Sequence, residues 1–177
     1  YKQMMEDMTD AVRYVLAHAE EWNIKKTNYV MWGGSAGAHL SLLYAYNYDK
    51  EDVISLVITL GAPTRLDALD ALSGAKQSDI EGLLPIVTGK PWNSDTSQLD
   101  VDYHGKNFKP TFLIHGEKDT IVPKVQSEML SDLLKQKNVP DTLVILPNGG
   151  HGGENTPLEV SEKVNAAMYK WILKYSK

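Results

Sequence analysis

Asn28-Tyr-Val-Met-Trp-Gly-Gly-Ser-Ala-Gly-Ala-His-Leu40 is the stretch on which the reading of this chain turns. Asn28 to Trp32 is a short run of apolar and β-favouring residues, which reads as a buried strand. Gly33-Gly34 ends that run, and Ala36 to Tyr46 reads as a helix. Between strand and helix stands Gly33-Gly34-Ser35-Ala36-Gly37, a match to G-x-S-x-G. The spacing has a steric reason. A serine lifted out of a strand-to-helix turn has strained backbone angles, and the residues two positions to either side must be small. The turn also sets Ser35 at a helix N-terminus, where the partial positive end of the dipole favours developing negative charge. A five-residue match of this kind arises by chance in roughly one chain in twenty of this length. Its position between a strand and a helix is what gives it weight.

Outward from this turn, strands and helices alternate. Met4, Met8, Ala11, Val12, Val15, Ala19 and Trp22 recur at helical spacing, so about the first 22 residues read as an amphipathic helix with its methionines as core filler. Val53 to Leu60 reads as a second strand, closed by Gly61-Ala-Pro63. Thr111 to His115 reads as a third strand and Thr142 to Leu146 as a fourth. Val125, Met129, Leu130, Leu133 and Leu134 mark a helix between them. For the last helix, Thr156 is expected as the cap, Pro157 at the first helical position and Glu159 completing a capping box. Val164, Met168, Trp171, Ile172 and Tyr175 form its apolar stripe. Four alternations of strand and helix predict an α/β fold with a parallel sheet flanked by helices. Residues 64–109 have no clean period beyond a short helix around Ile80–Val87, and read as an insertion that caps or lines a site. The whole of 1–177 is expected to be one domain, since no repeat or low-complexity linker divides it.

The composition narrows the function. The chain has 177 residues, 42% hydrophobic and 23% charged, enough for a real core. A net charge of −5 argues against nucleic acid or an anionic membrane as partner. The chain has no cysteine, which excludes disulfides, thiolate catalysis and Cys-ligated zinc. No apolar run approaches the ~20 residues of a membrane span, and no signal peptide is visible. The compartment is left open, with the cytoplasm favoured.

A serine hydroxyl becomes a nucleophile only beside a base. Of the five histidines, His18 sits among polar residues on the first helix. His39 lies in the first turn after Ser35 and reads as packing or capping. His115 ends a strand and reads as a satisfied structural histidine; pattern alone does not exclude His104. His151 stands in Gly149-Gly-His-Gly-Gly153, just after the last strand. Sites in open α/β sheets form at the carboxyl ends of strands, so His151 is the expected base. His115-Gly-Glu-Lys-Asp-Thr-Ile-Val-Pro123 supplies Glu117 and Asp119 after the third strand, and Asp119 is the expected acid that orients the base. Nucleophile, acid, histidine is the α/β-hydrolase order.

On these residues the chain resembles the esterase/lipase group of α/β-hydrolases, which includes carboxylesterases, acetyl and feruloyl esterases and arylformamidases. Gly33 to Leu40 looks like the nucleophile turn of that group, His115-Gly-x-x-Asp119-x-x-Val-Pro123 like its acid loop, and Gly150-His151-Gly152 like its histidine loop. The resemblance implies Ser35, Asp119 and His151 as catalytic residues and the Ala36 N–H as one oxyanion donor. It implies a small-molecule ester substrate, cleaved through an acyl-enzyme without metal or cofactor. Gly34 and Trp92 are candidate substrate contacts, with Leu83 a further apolar one. An arylformamidase and a non-catalytic, hydrolase-like binding domain are the alternatives. The family's other oxyanion donors lie on a His-Gly-Gly loop upstream of the nucleophile, and no such motif precedes Ser35. The segment therefore resembles the second half of a hydrolase. Alone it is expected to be weakly active or inactive, and to dimerise or aggregate through the exposed edge of its first strand.

Overall fold

In the computed structural model, residues 1–66, 82, 85–86, 89, 91, 100–101 and 107–177 are described. Of the expected helix over 80–87 only Gly82, Pro85 and Ile86 are described, all three helical, while Trp92, Leu83 and His104 lie outside the described residues, as does most of the 64–109 insertion. Helix α1 spans Lys2–Ala17, strand β1 Tyr29–Gly34, helix α2 Ala36–Asn47 and strand β2 Ile54–Leu60. Strand β3 spans Thr111–Gly116, helix α3 Val125–Gln136, strand β4 Asp141–Leu146 and helix α4 Leu158–Tyr175. The four strands lie side by side in the order β1-β2-β3-β4, and each pair is parallel. The α/β class and the flanking helices agree with the sequence reading.

Alternation along the strands divides the core into two layers. Val57 and Leu113 face α1, α2 and α3, where Met5, Leu42, Leu43, Leu130 and Leu134 are buried with them. Leu56, Ile58, Phe112 and Ile114 face the other way, against Val164, Met168, Trp171 and Ile172 of α4. Phe112 is fully buried and meets Trp171 edge-on at 5.7 Å between ring centroids. Burial of a phenyl ring of this kind contributes about 1.5–3 kcal/mol. Polar groups enter this interior in pairs at two places: the Tyr46 hydroxyl bonds Thr111 Oγ1 at 2.6 Å, and the Asp49 carboxylate takes the N–H groups of Val53 and Ile54 where α2 turns into β2.

Three local expectations are corrected. Helix α1 stops at Ala17, and its buried residue is Met5, whereas Met4 and Trp22 are each 44% exposed. The stripe is rotated because Met5, Met8, Val12 and Leu16 are what meet α2. Pro157, with ψ at 137°, is the N-cap of α4 and not its first helical residue, so Thr156 is one position too far upstream to cap. The Thr156 hydroxyl is buried without a hydrogen-bond partner, and no side-chain cap forms. Finally, Gly33 must be small, since a Cβ there would stand 2.4 Å from the Gly37 carbonyl oxygen, but a Cβ on Gly37 would meet nothing within 4 Å. The close approach is one-sided, because the missing side chain of Gly33 points at the backbone of Gly37 and not the reverse.

Strand β1 pairs with β2 alone among the described residues, and its Trp32 is 60% exposed. No helix among the described residues is long and apolar enough to cross a membrane.

Candidate active site

The carboxyl ends of β1, β2, β3 and β4 form one rim, and each contributes a loop. Ser35 follows β1 directly and begins α2. Its backbone sits at φ 52° and ψ −125°, a conformation that costs a non-glycine residue about 1–3 kcal/mol. The strain is held in place from both sides. The Ser35 N–H donates to the Leu60 carbonyl at 2.8 Å, and the Ser35 carbonyl accepts from His39 N–H at 3.1 Å. The adjacent Ala36 is exposed and is the first residue of α2, so its N–H has no acceptor within the helix. Gly34, just before the serine, is exposed and in register with Leu60.

Asp119 lies in the loop after β3. Its Oδ1 accepts the N–H groups of Ile121 and Val122, each at 2.9 Å, in a turn that the carboxylate itself closes. Its side chain is wholly buried. His151 lies in the loop after β4, with Nδ1 at 2.7 Å from Asp119 Oδ2 and Nε2 at 2.8 Å from Ser35 Oγ. A carboxylate only accepts, so Nδ1 carries the ring proton and donates it to Asp119. Nε2 then faces the serine as a lone pair, and the hydroxyl donates to it. The three residues singled out from the sequence therefore come together in one hydrogen-bonded line.

The loops that carry Asp119 and His151 are bonded to each other. Glu117 N–H donates to Leu146 carbonyl at 2.9 Å, and Lys118 N–H to Gly149 carbonyl at 2.8 Å. Asn148 N–H donates to the Glu117 carboxylate at 3.0 Å, so Glu117, the other carboxylate of the motif, joins the two loops and does not touch the base. Gly116 allows this closeness, since a Cβ there would stand 2.1 Å from the Gly150 carbonyl oxygen. Glu154 closes the histidine loop: its Oε2 accepts Gly152 N–H at 2.7 Å, and its carbonyl accepts Gly150 N–H at 3.0 Å.

Two neighbours of this line were not read as site residues. Gly61 ends β2 with φ 60°, and a Cβ on it would lie 3.2 Å from His151 Nδ1 and 3.3 Å from Asp119 Oδ2. The Gly61-Ala-Pro63 sequence carried only the signal of a strand end. His115 was read as a satisfied structural histidine; it is satisfied, but it also lies 3.2 Å from Asp119 Oδ2. His39 is buried and donates from Nδ1 to the Pro63 carbonyl at 3.0 Å, tying α2 to the loop after β2, and burial lowers its pKa. His18 bonds the Tyr14 carbonyl and stacks on Trp22. A cleft of about 560 Å³ between α1 and the end of α2 is lined by Lys2, Glu6, Asp10, Arg13 and Lys50, with neither Ser35 nor His151 on its walls. Among the described residues no cluster of three or more His, Asp and Glu is arranged to hold a metal ion.

Comparison with known proteins agrees with this architecture. The chain is 28% identical over 170 residues to endo-1,4-beta-xylanase B of Butyrivibrio fibrisolvens, and spans 25% of that protein's length. A truncated form of a carbohydrate esterase from gut microbiota superposes with a TM-score of 0.75 at 19% identity, over 97% of this chain and 68% of that one. An acetyl ester-xyloside bifunctional hydrolase from Caldicellulosiruptor lactoaceticus superposes with a TM-score of 0.71 at 25% identity, over 96% of this chain and 65% of that one. Thermogutta terrifontis esterase 2, in its butyrate-bound structure, gives a TM-score of 0.71 at 21% identity, covering 96% and 64% of the two chains. Residues 1–134 match the BD-FAE family. The parallel sheet, the strained turn after its first strand and that match together make this chain a member of the BD-FAE family of esterase-type α/β-hydrolases.

Proposed function

We propose that the chain is the catalytic part of a serine hydrolase that cleaves carboxylic esters through an acyl-enzyme, with Ser35 as nucleophile, His151 as base and Asp119 as orienting acid. The observation that carries the reading is the line from Asp119 Oδ2 through His151 to Ser35 Oγ, with contacts of 2.7 and 2.8 Å. In the first step the Ser35 oxygen bonds to the ester carbonyl carbon while its proton passes to His151 Nε2. The imidazolium so formed is stabilised by Asp119, and the oxyanion by the Ala36 N–H at the positive end of α2. Collapse expels the alcohol, which takes the proton back from His151. Water then repeats the sequence on the acyl-enzyme: His151 removes its proton, the acid leaves and Ser35 recovers its hydrogen.

Acetyl or feruloyl groups on a carbohydrate are the proposed acyl substrates. The support is the company the fold keeps, a carbohydrate esterase, a xylanase and an acetyl ester-xyloside hydrolase. Gly34 borders the serine and is proposed to face the substrate. The free edge of β1 is proposed as a pairing surface, and a monodisperse monomer in light scattering would count against it. Labelling with a fluorophosphonate probe tests the nucleophile directly: the expected result is modification at Ser35, lost in His151→Ala, together with hydrolysis of a 4-nitrophenyl acyl ester. Absence of labelling at Ser35 in the folded full-length protein overturns the reading.

A further inference from the structure

We propose that His115 is a positioning residue of this site: its Nε2–H holds the Asp119 carboxylate against His151, and Ser127 holds His115 in the tautomer that can do so. The proposal rests on the serine-hydrolase reading above and extends it from three side chains to five.

His115 is the penultimate residue of β3, and its side chain is fully buried. Its Nε2 faces two oxygens, the Val122 carbonyl at 2.7 Å and Asp119 Oδ2 at 3.2 Å. Both can only accept, so Nε2 carries the proton; it donates to the Val122 carbonyl and stands beside Asp119 Oδ2 as an electrostatic contact. With Nε2 protonated, Nδ1 of a neutral ring is an acceptor, and Ser127 Oγ stands 2.7 Å away to donate to it. Ser127 is itself fully buried on α3. A continuous line therefore runs from α3 through β3 to the reacting serine: Ser127, His115, Asp119, His151, Ser35.

The Asp119 carboxylate has room for about four hydrogen bonds. Two backbone N–H groups take Oδ1, His151 Nδ1–H takes Oδ2, and the Nε2–H of His115 stands 3.2 Å from the same Oδ2. Without His115, that oxygen would lose the N–H dipole that steadies it from the side away from His151. A satisfied buried histidine would need Ser127 and Val122 but not the third contact. That contact falls on the one oxygen that also meets His151, which separates a positioning role from packing.

Three variants of the purified protein test this. His115→Leu removes the donor, His115→Gln restores an amide N–H near the Nε2 place, and Ser127→Ala leaves the ring but frees its tautomer. Loss of orientation at the base is expected to lower kcat of His115→Leu by ~10–100-fold with KM little changed. His115→Gln is expected to recover most of that loss, and Ser127→Ala to fall between wild type and His115→Leu. The far-downfield proton resonance of His151 Nδ1, read without substrate, is expected to broaden or move in His115→Leu and Ser127→Ala. Wild-type kcat and an unchanged His151 resonance in a folded His115→Leu overturn the proposal. So does a His115→Gln that is no better than His115→Leu at equal melting temperature. If His115→Leu does not fold, Ser127→Ala decides by the same two readouts. Absence of ester hydrolysis and of probe labelling in the wild type is failure of the hydrolase reading instead. The resonance still reports on His115 in that case, because it requires no turnover.

Discussion

The nucleophile turn at residues 33–37 and the histidine loop at residues 149–156 are both rich in glycine, yet they are put in place by opposite means. In the first, order comes from within. Gly33 lies against the Gly37 carbonyl, and Ser35 is strained at φ 52° between two fully formed elements, β1 and α2. In the second, order is borrowed. Gly149, Asn148, Gly150 and Gly152 are bonded by Lys118, Glu117 and Glu154, and two of those three belong to the loop after β3. Apart from the Leu60 carbonyl that takes the Ser35 N–H, rigidity of Ser35 is therefore a property of a few consecutive residues. Placement of His151 is a property of two loops packed together.

That contrast can be broken or sharpened by mutation. Ser35→Ala should have the largest effect, a loss of at least ~10³-fold in ester turnover with the melting temperature maintained, measured by initial rates and thermal denaturation. Gly116→Val drives a side chain into the Gly150 carbonyl and should separate the two loops. A displacement of about 1 Å at His151 costs on the order of 10²-fold in kcat, and slowed probe labelling of Ser35 would report it. The matching change in the self-contained turn is Gly37→Ala, whose Cβ has open space. It should leave labelling intact and raise stability by about 0.4–1 kcal/mol through the unfolded chain, seen in urea denaturation. Equal damage from Gly37→Ala and Gly116→Val would erase the distinction. Glu154→Ala, which frees the Gly152 N–H of the histidine loop and leaves the Gly150 N–H on the backbone carbonyl of residue 154, should lower kcat several-fold at unchanged KM and melting temperature.

The smallest effect concerns acid stability. Burial lowers the pKa of His39 below the ordinary histidine value of about 6.5, so the unfolded chain binds that proton first. Stability from this group is present above about pH 6.5 and is lost as pH falls towards its folded pKa. The melting temperature should drop over that range, and His39→Gln should flatten the drop.

The same contrast explains what the sequence revealed. The nucleophile turn was legible because its steric demands fall within five consecutive residues. Strands β2 and β3 were legible because burial on both faces leaves continuous apolar runs. The places of Asp119 and His151 just after strands are legible, but their mutual bonding is not, since Glu117 and Gly116 act across loops that sequence spacing does not connect. His115 was placed correctly on β3 and taken for packing, because nothing local shows that a strand residue will meet an oxygen four residues on. The α4 cap was misplaced by one position: Thr156-Pro157 fits a capping pattern in letters, and only the extended ψ of Pro157 shows that the helix starts later. Trp92 and Leu83 remain expectations from the sequence, outside the described residues.

The exposed indole of Trp32 on the free edge of β1 lies three residues before the reacting serine. In water such a ring emits at long wavelength, and contact with an apolar neighbour moves the emission to the blue. A strand or a second copy laid along this edge would therefore be expected to shift the part of the emission that Trp32→Phe removes, against the background of Trp22, Trp92 and Trp171. That difference signal would gauge whether the rim beside Ser35 is bare or covered.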